Sequence, residues 1–521
     1  MSSSPGEAAA SSAAPHSQGG GAQQQNPEAG PHGVRLRRNA AAATVMAAVR
    51  DLQVRAHRAA APQAPRIHRR QRVFTVRIGM RQLLQVLVCC MVLYQHFTWR
   101  RLVVLALTAL ALLVSGTKVT AIDTPGPVST IAVAFEAGSA YETDATLGAS
   151  RVLEQMAFKA TSHRTTFRLT RELEKIGATV TAKAGRDHIV YAVSAVKMHT
   201  PEVVEMLMDA TLNPRLTYWE VKEALITVKE QLRDAAKQPA LVVTDVLHRA
   251  AYEGSLGQPL YPDASMVSGV SNDMLRSYLS STFAAGHSVV AAAGVGLDEF
   301  TELANPMMTD EPGPAPSAKY SSGYLGSSLN VISPTSPVVY AALAFESKGG
   351  LSDPKGAAAA AVVKQLLDES RAVLPRTYRE SEVYKSAAGF SHQYKDSGLV
   401  GMLASTAPAQ LSQLVDAVCK KMEGLAKGVS EAQLKQAKQL AIGAYANQLA
   451  STVGMAKLMG PQLLLTGKFV PGDFAASVEA LTAAEVAAYV SKALKSTPTY
   501  VTYGSLSCRV PRYDQILKRF G

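Results

Sequence analysis

One stretch of the chain, Leu147-Gly-Ala-Ser-Arg151-Val-Leu-Glu154-Gln155, sets a carboxylate between two polar side chains. On a helix, Arg151 and Gln155 stand one turn apart on one face, with Glu154 beside them. A glutamate in such a place suits general-base work on a water, if a metal lowers that water's pKa. A second glutamate, Glu230, follows Gln155 by 75 residues. The neighbours do not suit a metal. Arginine keeps its proton and has no acceptor lone pair, and glutamine is a poor ligand for zinc. Arg151 therefore reads as an ion-pair partner for Glu154 or Glu230. None of the eleven histidines lies four residues from another, and the four cysteines (89, 90, 419 and 508) form no Cys-x-x-Cys pair. That spacing excludes a haem attachment, an iron–sulfur ligand set and a structural zinc site. His96, a lone histidine in an apolar tract, makes no haem site. No cofactor is expected.

The elements that must hold these residues are legible in outline. Strands are expected at Lys118–Ile122 and Thr130–Glu136, read as a pair around the Pro-Gly-Pro turn at 125–127. A helix from Leu147 to about Lys159 carries Arg151, Glu154 and Gln155. A second, Phe167–Ile176, stops at Gly177. Strands follow at Thr179–Ala184 and Ile189–Ala195. Thr200-Pro201-Glu202 opens a helix with a capping hydroxyl, a proline at the first position and an acid in the first turn. A long helix from Tyr218 to Ala236 carries Glu223 and Glu230. Further helices, one capped by Ser271, fill 239–283, and Ser288–Val295 closes the unit as a strand.

The unit then recurs. Ala132-Val-Ala-Phe-Glu136 answers Ala342-Leu-Ala-Phe-Glu346, and Asp187 with Ile189-Val-Tyr191 answers Asp396 with Leu399-Val400. Ser271 answers Thr482, Tyr278 answers Tyr489, and Gly294 answers Gly504, all at an offset near 210. Thr482-Ala-Ala-Glu485 is a capping box on the second copy's matching helix. An offset this long means duplicated domains, not a solenoid. The fold class expected is α+β: two homologous tandem α+β domains, 116–310 and 336–521, forming a half-bowl. A Pro/Ser/Gly-rich linker is expected at 311–335 and a leader at 1–115.

Charge separates the leader from the body. Net charge is +12, yet residues 1–121 hold 15 basic and 3 acidic side chains, and the remaining 400 residues balance at 38 of each. A basic footprint on the folded body, as nucleic-acid binding needs, is missing. Residues 1–33 have the composition of a disordered segment. Residues 34–82, rich in Arg and Ala and nearly free of acids, have the composition of an organelle transit peptide. An apolar tract follows at 83–114, broken by Arg100 and Arg101. Neither piece reaches the ~20 residues of a spanning helix, which leaves a poor transmembrane helix, an interfacial hairpin or a mistranslated stretch as readings; membrane association is expected mainly through partners.

The helix around Glu154 resembles the pitrilysin/insulinase-like metallopeptidases, whose inverted zinc motif is H-x-x-E-H. The resemblance covers about 115–521. It places Arg151 and Gln155 at the two histidine positions, Glu154 at the general base and Glu230 at the third ligand. Two of three ligands are then replaced, and a non-catalytic member is expected. Val128-Ser-Thr-Ile-Ala-Val-Ala-Phe-Glu-Ala-Gly-Ser-Ala-Tyr-Glu142 and Tyr394-Lys-Asp-Ser-Gly-Leu-Val-Gly401 are similar to the mitochondrial branch. That branch supplies the subunits of the matrix processing peptidase and the core subunits of ubiquinol–cytochrome c reductase (respiratory complex III). The peptidase's alpha subunits carry a glycine-rich loop in the second half, whereas Leu366–Tyr378 here has no glycine. The resemblance thus implies a second core subunit first and an alpha processing subunit next. The core-subunit reading implies the matrix face of the mitochondrial inner membrane, with a homologous first core subunit and other complex III subunits as partners. The alternative implies a beta processing subunit as partner, with presequences bound by acids such as Glu154, Glu223 and Glu230. Zinc is expected to be absent from the purified protein. Stoichiometric zinc that disappears in Glu154→Ala plus Glu230→Ala would overturn this.

Overall fold

The computed structural model describes residues 109–112 (backbone), 117–283, 285–305, 323–334, 336–368, 385–505 and 510–520. The transit-like leader, the apolar tract up to 108, most of the linker and the glycine-free loop from 369 onward lie outside the described residues.

The first repeat runs β1 (Ala109–Leu112), β2 (Lys118–Ile122), β3 (Val128–Phe135), α1 (Ala149–Gln155), α2 (Thr166–Lys175), β4 (Thr179–Ala184), β5 (Ile189–Val196), α3 (Thr200–Leu212), α4 (Tyr218–Ala236), α5 (Pro239–Ala251), α6 (Asn272–Thr282), β6 (Ser288–Ala293) and α7 (Leu297–Ala304). The second runs β7 (Ser328–Ile332), β8 (Val339–Glu346), α8 (Pro354–Leu367), β9 (Ser386–Gln393), β10 (Gly398–Thr406), α9 (Leu411–Lys427), α10 (Glu431–Leu449), α11 (Thr452–Thr466), α12 (Asp473–Ala480), α13 (Ala483–Leu494), β11 (Thr499–Gly504) and α14 (Tyr513–Phe520). The two sheets have one topology, β2-β6-β3-β5-β4 and β7-β11-β8-β10-β9, and the first gains β1 at its edge. The duplicated α+β architecture is as expected.

Three local expectations change. Strands β2 and β3 do not pair with each other. β6 lies between them, parallel to β2 and antiparallel to β3. A tight turn suggested a hairpin, but the better partner is a continuously buried strand from far along the chain. β7 lies within the stretch read as linker and pairs in parallel with β11. Its residues, Ser-Leu-Asn-Val-Ile, are half-buried or exposed, as at the edge of a sheet. Thr200 is the first residue of α3 instead of its cap, and its hydroxyl donates to the Lys197 carbonyl at 2.7 Å. The end of the apolar tract, 109–112, is strand β1, antiparallel to β2. Among the described residues no helix is long and apolar enough to cross a membrane.

Matched positions do matched work. The Tyr278 hydroxyl accepts from the Gly138 amide at 2.7 Å and donates to its carbonyl at 2.9 Å, tying α6 to the loop after β3. Tyr489 ties α13 to the loop after β8 through Ser347, at 2.6 Å. Gly294 and Gly504 both have positive φ, and a Cβ on either would sit within 3 Å of a carbonyl, Val128 O and Val338 O respectively. Only glycine fits both demands. The capping box of Thr482 and Glu485 is present, and Ser271 caps α6.

The repeats are joined by exchange. α11, from the second repeat, covers one face of the first sheet. Met455, Met459, Leu463, Leu464 and Phe469 are buried there against Ala132, Ala134, Val190 and Ala291. The sheet residues are small and Gly460 has no side chain, so helix and sheet backbones approach closely: a Cβ on Gly460 would be 3.2 Å from that of Ala134. α5, the counterpart of α11, packs in turn on β8 and β11 of the second sheet. Each fully buried Met or Leu contributes about 1.5–3 kcal/mol by removal from water. Met459→Ala should therefore cost about 2–5 kcal/mol. In urea, both halves should still unfold in one transition at a lower midpoint. Two separated transitions in the wild type would contradict the interlocked core.

Candidate functional site

Helix α1 is only two turns long because both ends are pinned. Its N-cap, Gly148, has φ of 85°, a conformation that favours glycine. The first amides are met by a buried carboxylate. Glu142 accepts from Gly148 N and Ser150 N at 2.8 Å and from Ser150 Oγ at 2.5 Å. Beyond Gln155 the chain leaves the helix, and Phe158 takes positive φ to reach the core beside Tyr191. The helix expected to run to Lys159 therefore ends four residues early.

Arg151 and Glu154 form an ion pair, with Nη1 to Oε2 at 2.5 Å and side chains 14% and 24% exposed. Arg151 Nε also donates to Leu260 O at 3.1 Å, and its guanidinium lies 4.3 Å from the Tyr261 ring centre. The cation is thus held by a carboxylate, a carbonyl and an aromatic face. Of the two partners expected for it, Glu154 is the one found. Glu230 points away. It pairs with Arg233 on the outside of α4 and is 62% exposed. The residue that meets α1 is Gln231, whose Nε2 donates to Gln155 Oε1 at 3.1 Å.

The reason lies in the pitch of α4. Its buried stripe is Val221, Ala224, Val228 and Leu232. At about 100° per residue, position 231 lies about 60° from Val228 and position 230 about 160° from it. The stripe was readable in the sequence and would have selected Gln231. Spacing alone picked its neighbour. Glu223 is exposed on the same helix. Gln231, and not Glu230, is thus the α4 side chain that faces Gln155. Among the described residues no group of three or more His, Cys, Asp or Glu side chains is arranged to hold a metal ion.

A separate polar cleft of about 440 Å³ opens between α2 and α3. Of its two arginines, Arg164 pairs with Glu172, Glu205 and Asp209, and Arg168 pairs with Glu172. His163 Nδ1 donates to Asp209 Oδ1 there at 2.7 Å. His188 pairs with Asp187 at 2.6 Å. Both histidines are accounted for by ordinary side-chain pairing.

The fold and the site define a duplicated α+β protein built on a metallopeptidase plan, with a cation–carboxylate pair at its centre. The comparisons agree. Residues 118–264 match the family model for insulinase (peptidase family M16), and residues 269–441 match that for the M16 inactive domain. The chain belongs to the M16 insulinase family. It is 32% identical over 411 residues to a probable mitochondrial-processing peptidase subunit alpha-2 of Arabidopsis thaliana, covering 76% of this chain and 82% of that one. A processing peptidase subunit beta of Neurospora crassa is 27% identical over 383 residues, 70% and 80% of the two chains. A chain of complex III2 from Candida albicans, bound to Inz-5, shares the fold with a TM-score of 0.70 at 18% identity, covering 79% of this chain and 99% of that one.

Two experiments test the site. If Gln231 holds the third position, Arg151→His with Gln155→His and Gln231→Glu should bind zinc near one equivalent. The same histidines with Gln231 kept should bind far less, Glu230 notwithstanding. Equal binding by both would refute the register. The second concerns Glu142, whose carboxyl burial pushes up to about 7 against the hydrogen bonds from Ser150 and Gly148 and the Arg151 charge. A raised carboxyl pKa stabilises the fold fully below the unfolded value near 4.5 and loses that contribution as pH rises through 7. Between pH 5 and 8 the wild type should lose on the order of 2–3 kcal/mol relative to Glu142→Gln. Parallel denaturation curves for the two proteins across that range would show the carboxyl is not perturbed.

Proposed function

We propose that this chain is a non-catalytic, alpha-type subunit of a mitochondrial processing peptidase, paired with a homologous beta-type subunit that supplies the zinc site. The observation that carries the reading is the pair formed by Arg151 and Glu154. A fixed guanidinium stands where the family's first histidine would be, Gln155 takes the second histidine position, and Gln231 faces it from α4. A carboxylate held by arginine has no metal-bound water to deprotonate. The greater identity to the alpha subunit than to the beta subunit supports the alpha assignment. In this role the chain would bind Arg-rich presequences, and the acid-poor leader would be its own transit peptide.

The second reading is the non-catalytic core subunit of complex III on the matrix face of the inner membrane. It would be held there by a first core subunit and by other subunits of the complex. What favours it is the glycine-free Leu366–Tyr378 segment, which lacks residues for a backbone-flexible loop. The 18% identity to the complex III chain speaks for the fold. Sequence likeness therefore puts the alpha reading first, ahead of the order that the loop alone implies.

The deciding measurement is mass spectrometry of native complexes released in mild detergent. Recovery with a soluble beta-type peptidase, and loss of presequence cleavage when this chain is depleted, is the expected result. Comigration with cytochrome b and c-type subunits, at one copy per first core subunit, would establish the second reading instead. In either assembly the mature chain should begin before Ala109, since β1 is an edge strand of the first sheet.

A further inference from the structure

The centre of the first repeat is joined to the second repeat by two sets of polar contacts, linked through one turn of α5. The first starts at Glu154, which accepts from Arg151. Arg151 donates to the Leu260 carbonyl at 3.1 Å, and the amide of the same Leu260 donates to Asp245 Oδ1 at 2.9 Å. Asp245, on α5, also pairs with Arg186 from the loop between β4 and β5. Arg186 is 5% exposed and donates further to the carbonyls of Leu256 and Gln258. One turn along α5, His248 is buried. Its Nδ1 faces the Thr244 carbonyl at 2.7 Å, so Nδ1 carries the proton and Nε2 accepts from the Tyr394 hydroxyl at 2.6 Å. Tyr394 belongs to the turn between β9 and β10 of the second repeat. Tyr252 continues the contact to Ser397 at 3.1 Å.

Two features set this line apart from ordinary surface pairing. Arg186, His248 and Tyr394 are buried, where an unpaired polar group is costly, so their partners are tightly constrained. Burial, with the nearby Arg186 and His392, also keeps His248 well below the ordinary imidazole value and thus neutral. The line further crosses between repeats at α5, the helix exchanged onto the second sheet.

We propose that the Arg151–Leu260–Asp245–His248–Tyr394 line is a mechanical coupling: the state of the cleft around Arg151 sets the packing of the β9–β10 turn, and the reverse. The inference concerns this chain's own halves and stands whichever assembly holds it. Arg151 acts here as a positioning residue.

The test uses the full chain. Arg151→Met removes the charge and keeps the length of the stem, and Tyr394→Phe removes one hydroxyl. Amide exchange read by mass spectrometry should rise about fivefold in the 394–398 turn for Arg151→Met, and about as much in 256–262 for Tyr394→Phe. The double variant should rise less than the product of the two. Glu423→Gln, which disturbs the remote pair with Arg519 in the second repeat, should move neither segment. Effects confined to the mutated side, or multiplying independently in the double variant, would overturn the coupling. If Arg151→Met fails to fold, Asp245→Asn interrupts the same line with a smaller change and is read at the same two segments. Exchange unchanged at 394–398 in that variant would equally refute it.

Discussion

The exchange of α5 and α11 between the two sheets is the contact on which the remaining structure leans. Each helix leaves its own repeat and closes the other's sheet. Ala132, Ala134, Ala291 and Ala293 make a flat surface, and the Met and Leu side chains of α11 fill the space above it. Without α11 that surface would be an exposed apolar face; without α5 the second sheet would lose the helix packed on β8 and β11. The small residues on β3 and β6 and the glycine at 460 therefore serve one purpose. They let a helix backbone lie close on a sheet backbone, where dispersion contacts are dense.

The centre around Glu154 follows from this frame. α1 is held by Glu142 at its start and by Phe158 just past its end. α4 is held by its buried stripe. The two helices meet through Gln155 and Gln231 at hydrogen-bond distance. Beside them the Arg151 guanidinium stands against Glu154. Burying that glutamate alone would be costly, which explains why it stays paired at Arg151.

Much of this was legible beforehand for reasons that can be named. Caps and prolines marked helix boundaries because they act locally, as at Ser271, Thr482 and Pro201. The repeat was visible because both copies solve the same steric problems, with glycine under a neighbouring carbonyl at 294 and 504 and a tyrosine reaching back at 278 and 489. What stayed hidden was set at a distance. Nothing near β2 announces that β6, more than 160 residues later, will lie between it and β3. α5 reads as an amphipathic helix and α11 as a largely apolar one, and neither names whose sheet it covers. At the site, counting residues selected Glu230, and the stripe of α4, a property of the whole helix, selects Gln231.

The exchange also orders events in time. A ribosome or an import channel delivers this chain from its N-terminus, so β6 completes the first sheet about 170 residues before Leu463 arrives to cover it. At about 5–20 residues per second that gap is roughly ten to thirty seconds during synthesis. Throughout it, an alanine-lined sheet stands open to water and to other chains. A nascent molecule of this design carries an uncovered apolar face until its last third is made. The completed protein then owes its first half to its last third.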